Sequence, residues 1–222
     1  MANFVVICAM RGELEPIAAK LGATPNTHGD LCSSIGNNTV TLCLSGVGKV
    51  NAACAVTRAI MLYSPDAIIN CGISGGLDST LKIGELVVCD CVKYHDFQPA
   101  ELLLRIPPYC RDMKTDGALT AAFETACAAA GIAWRRGIAA SGDMIVTDAE
   151  YSARLRAELG ATCVDMETCA VAHACINSGV RFAVIRGISD FADEQALPEM
   201  ERNEFKVTHA LAEIVFDTVT AQ

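Results

Sequence analysis

The sequence contains no run of basic residues, and this absence restricts the partners that the protein can bind. Lys and Arg total 17 against 26 Asp and Glu, so the formal net charge at pH 7 is -9. Proteins that bind DNA or RNA need clustered basic side chains that neutralise phosphates. We therefore expect no nucleic-acid partner, whereas a small ligand is compatible with this charge.

Long apolar runs are also missing, although 52% of the residues are hydrophobic. No stretch reaches the roughly 20 apolar residues that a membrane-spanning helix needs. The first apolar run, residues 4–10, is too short for a signal-peptide core and lacks the usual cationic and small-residue flanks. We expect a cytoplasmic globular protein without a membrane partner. Its 222 residues fit one α/β domain or two small ones.

Metal-ligand spacings are absent, although the chain has 12 cysteines. Cys89 and Cys91 are two residues apart, which matches neither a C-x-x-C pair nor another zinc spacing. His28, His95 and His173 share no ligand spacing either. The cysteines stand within apolar runs, as small reduced hydrophobic residues do. The sequence therefore predicts no metal site and no disulfide.

Apolar runs that suit buried strands alternate with segments of helical spacing. Four helical positions recur in residues 50–61 (Val50, Cys54, Thr57, Met61) and four in residues 207–218 (Val207, Leu211, Ile214, Thr218), and each set predicts a buried stripe. Thr147 and Glu150 have the spacing of a capping box. Residues 96–116 have three prolines and no period, as in a loop that forms a lid or a subunit contact. The alternation predicts a largely parallel sheet.

Glycines and charged residues follow the predicted strands. They are Glu13, Gly46–Gly48, Gly72–Gly76, Gly142–Val146, Asp165–Glu167 and Arg186–Asp190. In open α/β sheets, ligands bind outside the carboxyl ends of the strands. We therefore expect these residues to converge on one pocket, with turns at the glycine-rich segments.

The charged residues of this set allow two interpretations each. Glu13 and Asp190 could act as base and acid at a glycosidic bond, or could simply start and cap helices. Asp165 and Glu167 could accept hydrogen bonds from sugar hydroxyls, or could form a solvated turn. Arg186 lies in an apolar strand and needs a carboxylate partner, for which Glu13 and Glu167 are candidates. Its ion pair could be structural or catalytic.

Two glycine motifs indicate other classes of protein. Gly46–Asn51 has part of a dinucleotide-binding fingerprint but not the whole of it. Gly72–Gly76 matches G-x-S-x-G, the nucleophile elbow of serine hydrolases. An elbow leads directly into a helix, whereas here Leu77–Thr80 leads into a strand. A serine hydrolase is therefore a rival hypothesis that fails the test of context.

The ordered motifs resemble those of the purine nucleosidases in the nucleoside phosphorylase superfamily, above all the 5'-methylthioadenosine/S-adenosylhomocysteine nucleosidases. The matching segments are Ala9-Met10-x-x-Glu13, Ser45-Gly46-Val47-Gly48-Lys49-Val50, Gly72-x-x-Gly75-Gly76-Leu77, Tyr94-His95-Asp96, Ser141-Gly142-Asp143, Met166-Glu167 and Arg186-x-Ile188-Ser189-Asp190-x-Ala192-Asp193. The resemblance covers residues 4–216. It implies one domain over residues 1–222, a three-layer α/β/α sandwich around a mixed, largely parallel twisted sheet. It also implies a homodimer without a cofactor.

The resemblance implies hydrolysis of the N-glycosidic bond of 5'-substituted adenosines. Glu13 would activate water, and Asp190, held by Ser189, would protonate N7 of adenine. Glu167 would bind the ribose hydroxyls, and Val146 would bind the adenine edge through its backbone. The residues expected to bind substrate are Met10, Val47, Ile73, Ser74, Gly75, Ile145, Val146, Asp165, Met166, Glu167, Arg186 and Ser189.

Three positions depart from the family pattern. Ile73 replaces a small hydroxyl residue near the water, and Ser74 is placed to compensate. Ile145 replaces an aromatic that stacks on adenine. Gln98 replaces a second aspartate after His95-Asp96, so the 5' substituent is open. The alternatives are a nucleosidase for another purine nucleoside such as aminodeoxyfutalosine, a phosphorylase, and a nucleoside-binding protein without activity.

Overall fold

The computed structural model describes residues 2–221, which form strands and helices in alternation. The strands are β1 (Asn3–Cys8), β2 (Thr24–Pro25), β3 (Leu31–Ile35), β4 (Asn38–Leu44), β5 (Ala67–Gly76), β6 (Leu86–Tyr94), β7 (Met113–Lys114), β8 (Trp134–Ser141), β9 (Cys163–Asp165) and β10 (Arg181–Asp190). The helices are α1 (Arg11–Leu21), α2 (Lys49–Tyr63), α3 (Gly117–Ala130), α4 (Ala149–Leu159), α5 (Thr168–Ser178) and α6 (Ala196–Thr220). None of these helices is both long and apolar enough to cross a membrane.

All ten strands belong to one sheet, in the order β10-β6-β8-β9-β5-β1-β4-β3-β2 with β7 beside β6. A further pairing of β10 with β5 closes five of these strands into a ring. The longest ladders are parallel, with nine residue pairs between β10 and β5 and eight between β6 and β8. The antiparallel ladders have five pairs at most. The prediction of a mixed, largely parallel sheet is confirmed.

Helices cover both faces of the sheet and give the predicted three layers. Helices α1, α3 and α6 pack on one face, where Val6, Ile17 and Phe123 are buried together. Helices α2 and α5 pack on the other, with Val56 and Val171 in its core. The stripe predicted on α6 is buried, because the helix lies along the sheet with that side inward. The predicted single α/β domain architecture is confirmed.

The stripe predicted on α2 is wrong. Val50 is 74% exposed and Met61 80% exposed, and Cys54 and Thr57 also face outward. The residues that α2 buries are Ala52, Ala55, Val56 and Ala59. Small side chains allow the helix to approach the sheet and α5 closely, so the larger apolar residues lie on the outer side. The outer side of α2 is therefore apolar and exposed in the single chain.

Three local expectations also need correction. Gly72–Gly76 is the end of strand β5, not a turn, so Ser74 does not lie on a nucleophile elbow. Helix α4 is capped by the Asp148 side chain, which accepts from the Tyr151 N–H at 2.7 Å, and not by Thr147. The predicted loop at residues 96–116 contains one turn of 3-10 helix and strand β7. Leu103 is buried there, whereas Leu102 and Leu104 are exposed.

Candidate active site

One cavity lies where β5, β9 and β10 end, and the segment after β8 and the start of α6 complete it. Its volume is about 620 Å³ when the open space at its mouth is included. The lining residues are Ile73, Ser74, Gly75, Met144, Ile145, Val146, Val164, Asp165, Met166, Glu167, Ser189, Asp190, Ala192, Ala196, Leu197 and Met200. Of the segments expected to converge, Gly72–Gly76, Gly142–Val146, Asp165–Glu167 and Arg186–Asp190 contribute to the cavity. Glu13 and Gly46–Gly48 do not line it.

Glu13 lies in the first turn of α1, buried below the strand ends. Its Oε2 accepts the Ala9 and Met10 N–H groups at 2.9 Å each, and its Oε1 accepts the Ile73 N–H at 2.9 Å. The bond to Met10 is the return bond of a capping box, so Glu13 does start the helix, as one interpretation expected. Burial raises the pKa of Glu13, although Arg186 and the three N–H groups oppose this. The three N–H donors fix the Glu13 carboxylate in position.

Arg186 is fully buried, and its partner is neither Glu13 nor Glu167 but Asp165. The Nε of Arg186 lies 2.9 Å from Asp165 Oδ2. Its Nη2 donates to Asn70 Oδ1 and to Thr168 Oγ1, both at 2.5 Å. Burial acts against the cation, but the charges of Asp165, Glu167 and Glu13 keep the Arg186 pKa above its usual value. The ion pair is buried, and Arg186 itself does not line the cavity.

Gly72 allows Glu13 and Arg186 to approach the same point of strand β5. A Cβ at Gly72 would collide with Glu13 Oε1 and with Arg186 Nη1. Those two atoms therefore flank the backbone at the floor of the site. A glycine is required there because any side chain would displace one of the two charged groups.

Asp165 lines the cavity, but its oxygens are already engaged. Its Oδ1 accepts the N–H groups of Glu167 and Thr168. Its Oδ2 accepts the Thr168 hydroxyl in addition to pairing with Arg186. It is therefore not free to bind sugar hydroxyls. Sequence reasoning also missed Asn70 and Thr168 as partners of Arg186. A polar Asn70 inside the apolar run 67–71 was the available signal.

Glu167 is the acidic residue that remains free to face a ligand. Its Oε1 accepts the Gly48 N–H at 2.8 Å, and among residues 2–221 no donor to its Oε2 is present. Burial, followed by the charge of Asp165, raises the pKa of Glu167 to about 7, against the opposing effects of Arg186 and Gly48. Met166 lines the cavity beside it. At neutral pH this carboxyl is therefore close to half protonated.

Asp190 lies at the end of β10 on the cavity wall. Its Oδ2 accepts the Ser189 hydroxyl at 2.7 Å, and its Oδ1 accepts the Ala192 N–H at 2.9 Å. Burial raises the pKa of Asp190, while these two bonds lower it. The carboxyl is not a helix cap, because α6 begins only at Ala196. A buried acid with a raised pKa is what proton donation to a ligand requires.

The remaining predicted residues divide into two groups. Ser74 lines the cavity, and its buried Oγ has no hydrogen-bond partner in residues 2–221, so it is available to a ligand. Ile145 lies at the mouth, half exposed, next to Val146. Met10 and Val47 do not line the cavity: Met10 packs against the core, and Val47 is exposed.

Several lining residues were not expected from the sequence. They are Val164, Ala192, Ala196, Leu197 and Met200. The start of α6 contributes three of them. This helix begins at Ala196, well before residues 207–218, from which it was predicted. These additions make the wall largely aliphatic.

Residues 3–221 match the family model described as Phosphorylase superfamily. A 5'-methylthioadenosine/S-adenosylhomocysteine nucleosidase from Neisseria meningitidis, solved with methylthio-immucillin-A, is 28% identical, with full coverage of both chains and a TM-score of 0.92. The corresponding nucleosidase of Helicobacter pylori is also 28% identical, covering 100% of this chain and 99% of that one, with a TM-score of 0.90. The futalosine hydrolase of Helicobacter pylori is 27% identical, with coverage of 100% and 98% and a TM-score of 0.91.

Proposed function

Because this chain belongs to the phosphorylase superfamily, we propose that it is a nucleosidase that hydrolyses the N-glycosidic bond of 5'-substituted adenosines. The substrates would be nucleosides such as 5'-methylthioadenosine and S-adenosylhomocysteine, which name two of its structural relatives. The observation that carries the proposal is the pair of buried carboxyls with raised pKa values: Asp190 lines the cavity with Glu167, and Glu13 accepts a hydrogen bond from the backbone of the lining residue Ile73.

In the proposed reaction the C1'–N9 bond breaks and its electrons go to adenine. Asp190 donates its proton to N7, and Ser189 then stabilises the carboxylate through the bond it already makes. Glu13 removes a proton from the water whose oxygen bonds to C1'. The transition state resembles an oxocarbenium ion, so nearby carboxylates stabilise it. The products are adenine and a 5'-substituted ribose.

The sugar would be held by Glu167, whose unbonded Oε2 can accept hydrogen bonds from vicinal hydroxyls. Met166 would pack against the ribose, and the free Ser74 hydroxyl would bind a polar ligand atom or the water. The backbone of Val146 would contact the adenine edge. Ile145 offers apolar contact without aromatic stacking, so the purine would be held less strongly from that side.

Charge favours water over phosphate as the nucleophile. The charged side chains that line the cavity are Asp165, Glu167 and Asp190, and in residues 2–221 no Lys or Arg accompanies them. Arg186 lies below, paired with Asp165. A phosphate dianion would meet net negative charge, which raises the free energy of its binding. We therefore propose hydrolysis and not phosphorolysis.

A nucleosidase for a related purine nucleoside, such as aminodeoxyfutalosine, is the second candidate. The full-length likeness to a futalosine hydrolase at 27% identity favours it. Both candidates use the same base and the same acid. They differ in the 5' group, so comparison of substrates separates them.

We expect the purified protein to release adenine from 5'-methylthioadenosine and S-adenosylhomocysteine at rates that added phosphate does not increase. Inosine and aminodeoxyfutalosine serve as comparison substrates, and free base is measured by chromatography. Ribose 1-phosphate among the products would instead indicate a phosphorylase. Fastest release from aminodeoxyfutalosine would select the second candidate. Binding without release from any nucleoside would leave a nucleoside-binding protein.

We also propose a homodimer that covers the apolar outer side of α2. Val50 and Met61 are exposed on that side, and Leu102 and Leu104 are exposed in the loop that follows β6. Leu103, between them, is buried within the chain and is not available to such a contact. Exposed apolar patches of this kind are typical of subunit contacts.

Met61→Glu is expected to halve the mass measured by analytical ultracentrifugation, because the new charge would be buried in the contact. Phe205→Glu is the matched control: Phe205 is equally exposed but lies on α6. An unchanged mass for Met61→Glu, or the same loss for Phe205→Glu, would contradict this placement of the interface.

A further inference from the structure

Three motifs of the sequence have no part in the proposed reaction, yet the fold brings their charged residues together. Lys49 starts α2, Asp96 follows β6 and Asp143 follows β8. The Lys49 Nζ donates to Asp96 Oδ2 at 2.5 Å and lies 3.7 Å from Asp143 Oδ2. Asp96 Oδ2 also accepts the Asp143 N–H at 2.9 Å. We call Lys49, Asp96 and Asp143 the brace.

The brace acts on the turn that precedes α2. Asp143 Oδ1 accepts the Lys49 N–H at 2.7 Å. It thereby satisfies one of the backbone N–H groups that have no partner within the helix at its N-terminus. The preceding N–H, that of Gly48, donates to Glu167 Oε1 at 2.8 Å. Two successive N–H groups are thus held by carboxylates from different parts of the sheet.

The conformation of the Gly48 backbone depends on the side chains that contact the turn. Its φ is +96°, a conformation that L residues rarely adopt, and a Cβ there would meet Asp143 Oδ1 at 3.2 Å. Glycine adopts many conformations with similar energies, so the turn is not fixed by its own residues. The contact with Asp143 fixes it from outside.

We propose that Lys49, Asp96 and Asp143 are positioning residues, which hold the Gly48 N–H against Glu167 and so orient that carboxylate toward the sugar of the substrate. The inference rests on the proposed function in one respect, the binding of ribose by Glu167. The contacts themselves are independent of it. None of the brace residues lines the cavity, so they act through Gly48.

A role in stability alone does not account for the brace. Its side chains are partly exposed, and exposed ion pairs contribute little to the free energy of unfolding. Variants of the brace should therefore fold. If Glu167 lost its orientation, the affinity for the nucleoside and the pKa of Glu167 would change instead.

The proton affinity of Glu167 provides a direct readout. The groups that face it are Asp165 on β9, Arg186 on β10, Glu13 on α1 and the Gly48 N–H. The Gly48 bond favours the ionised carboxylate, so its loss raises the pKa. A brace variant leaves these three charged neighbours in place. Loss of the Asp143 charge by itself would lower the Glu167 pKa, so a rise reports loss of the Gly48 bond.

Asp143→Ala and Lys49→Met are expected to raise KM for adenine release about tenfold while kcat changes less than about twofold, because binding is lost before chemistry. Their double variant should show less than the sum of both effects, since the two residues form one unit. Glu124→Ala is the control. It removes a partly exposed acidic residue on α3, which pairs with Arg136 of β8 at 2.6 Å, and should change neither constant.

Carbon-13 NMR of the glutamate carboxyls in the ligand-free protein tests the contact without any substrate. Asp143→Ala should move the Glu167 titration upward from its wild-type midpoint, and Glu124→Ala should not. An unmoved midpoint, a fall in kcat at constant KM, or a change in KM that accompanies a loss of mass in solution would each overturn the proposal. If wild type releases no base from any nucleoside, the proposed function fails, whereas the titration still decides whether the brace holds Glu167.

Discussion

Replacing Asp190 with asparagine is expected to lower kcat/KM for adenine release by about a hundredfold to ten-thousandfold, the range that general acid catalysis contributes. Asparagine keeps the shape of the side chain: its Oδ1 can accept the Ala192 N–H, and its Nδ2 can donate to the Ser189 hydroxyl oxygen. It has, however, no acidic proton to give to N7. The substitution also removes a buried charge, so the variant should fold. A steady-state assay of free adenine measures the loss.

The control for this prediction lies three residues further along the chain. Asp193 has its own local bond, accepting the Gln195 N–H at 2.8 Å, and does not line the cavity. Asp193→Asn should retain activity close to that of wild type. Activity of Asp190→Asn within tenfold of wild type, or an equal loss in both variants, would remove Asp190 from the role of acid.

A comparison with Glu13 separates the two chemical steps. Glu13→Gln should also lose activity, since an amide cannot take a proton from water. Glu13 in addition starts α1 through its bond to the Met10 N–H, so part of its effect is structural. The activity losses of Glu13→Gln and Asp190→Asn, compared at several pH values, distinguish the absence of a general base from destabilisation of α1. Asp190 is the cleaner test because its bonds are confined to residues 189–192.

The part of the site that could be predicted from the sequence is the part that lies at the carboxyl ends of strands, where α/β sheets bind their ligands. Ser74, Glu167 and Asp190 meet at one cavity because each follows or ends a strand, and alternation of strands and helices revealed those strands. The partner of Arg186 could not be found this way. Asp165 ends β9, two residues before Glu167, and spacing does not show which acidic side chain at the strand ends reaches Arg186.

The error on α2 has a different cause. Val50 and Met61 have the spacing of a core stripe, and spacing does not distinguish a core from a subunit contact. Both bury apolar side chains on one face of a helix. The residues that α2 does bury, Ala52, Ala55 and Ala59 among them, are small and gave a weaker pattern. Similarly, Leu197 and Met200 reach the cavity from the first turn of α6, far from the stripe at residues 207–218.

Glu167→Gln is expected to make the free protein more stable while it weakens nucleoside binding by about tenfold or more. Burial and Asp165 raise the Glu167 pKa from 4.5 to about 7 in the folded state. The unfolded chain has an ordinary carboxyl, so the folded state binds more protons between about pH 4.5 and 7. By linkage, stability falls as the pH rises through this window, and above it the buried charge costs up to about 3 kcal/mol.

Glutamine removes that cost, because it has no charge and its oxygen can still accept the Gly48 N–H. We therefore expect a melting temperature several degrees above wild type at pH 8, at about 2–4 °C per kcal/mol, and little difference near pH 4.5, where Glu167 is protonated in wild type. Glu124→Gln, on the exposed side of α3, controls for loss of one negative charge. An equal gain at both pH values would mean that packing, and not ionisation, explains the effect. A gain confined to high pH, with binding lost, would identify Glu167 as a residue that destabilises the fold in order to bind its ligand.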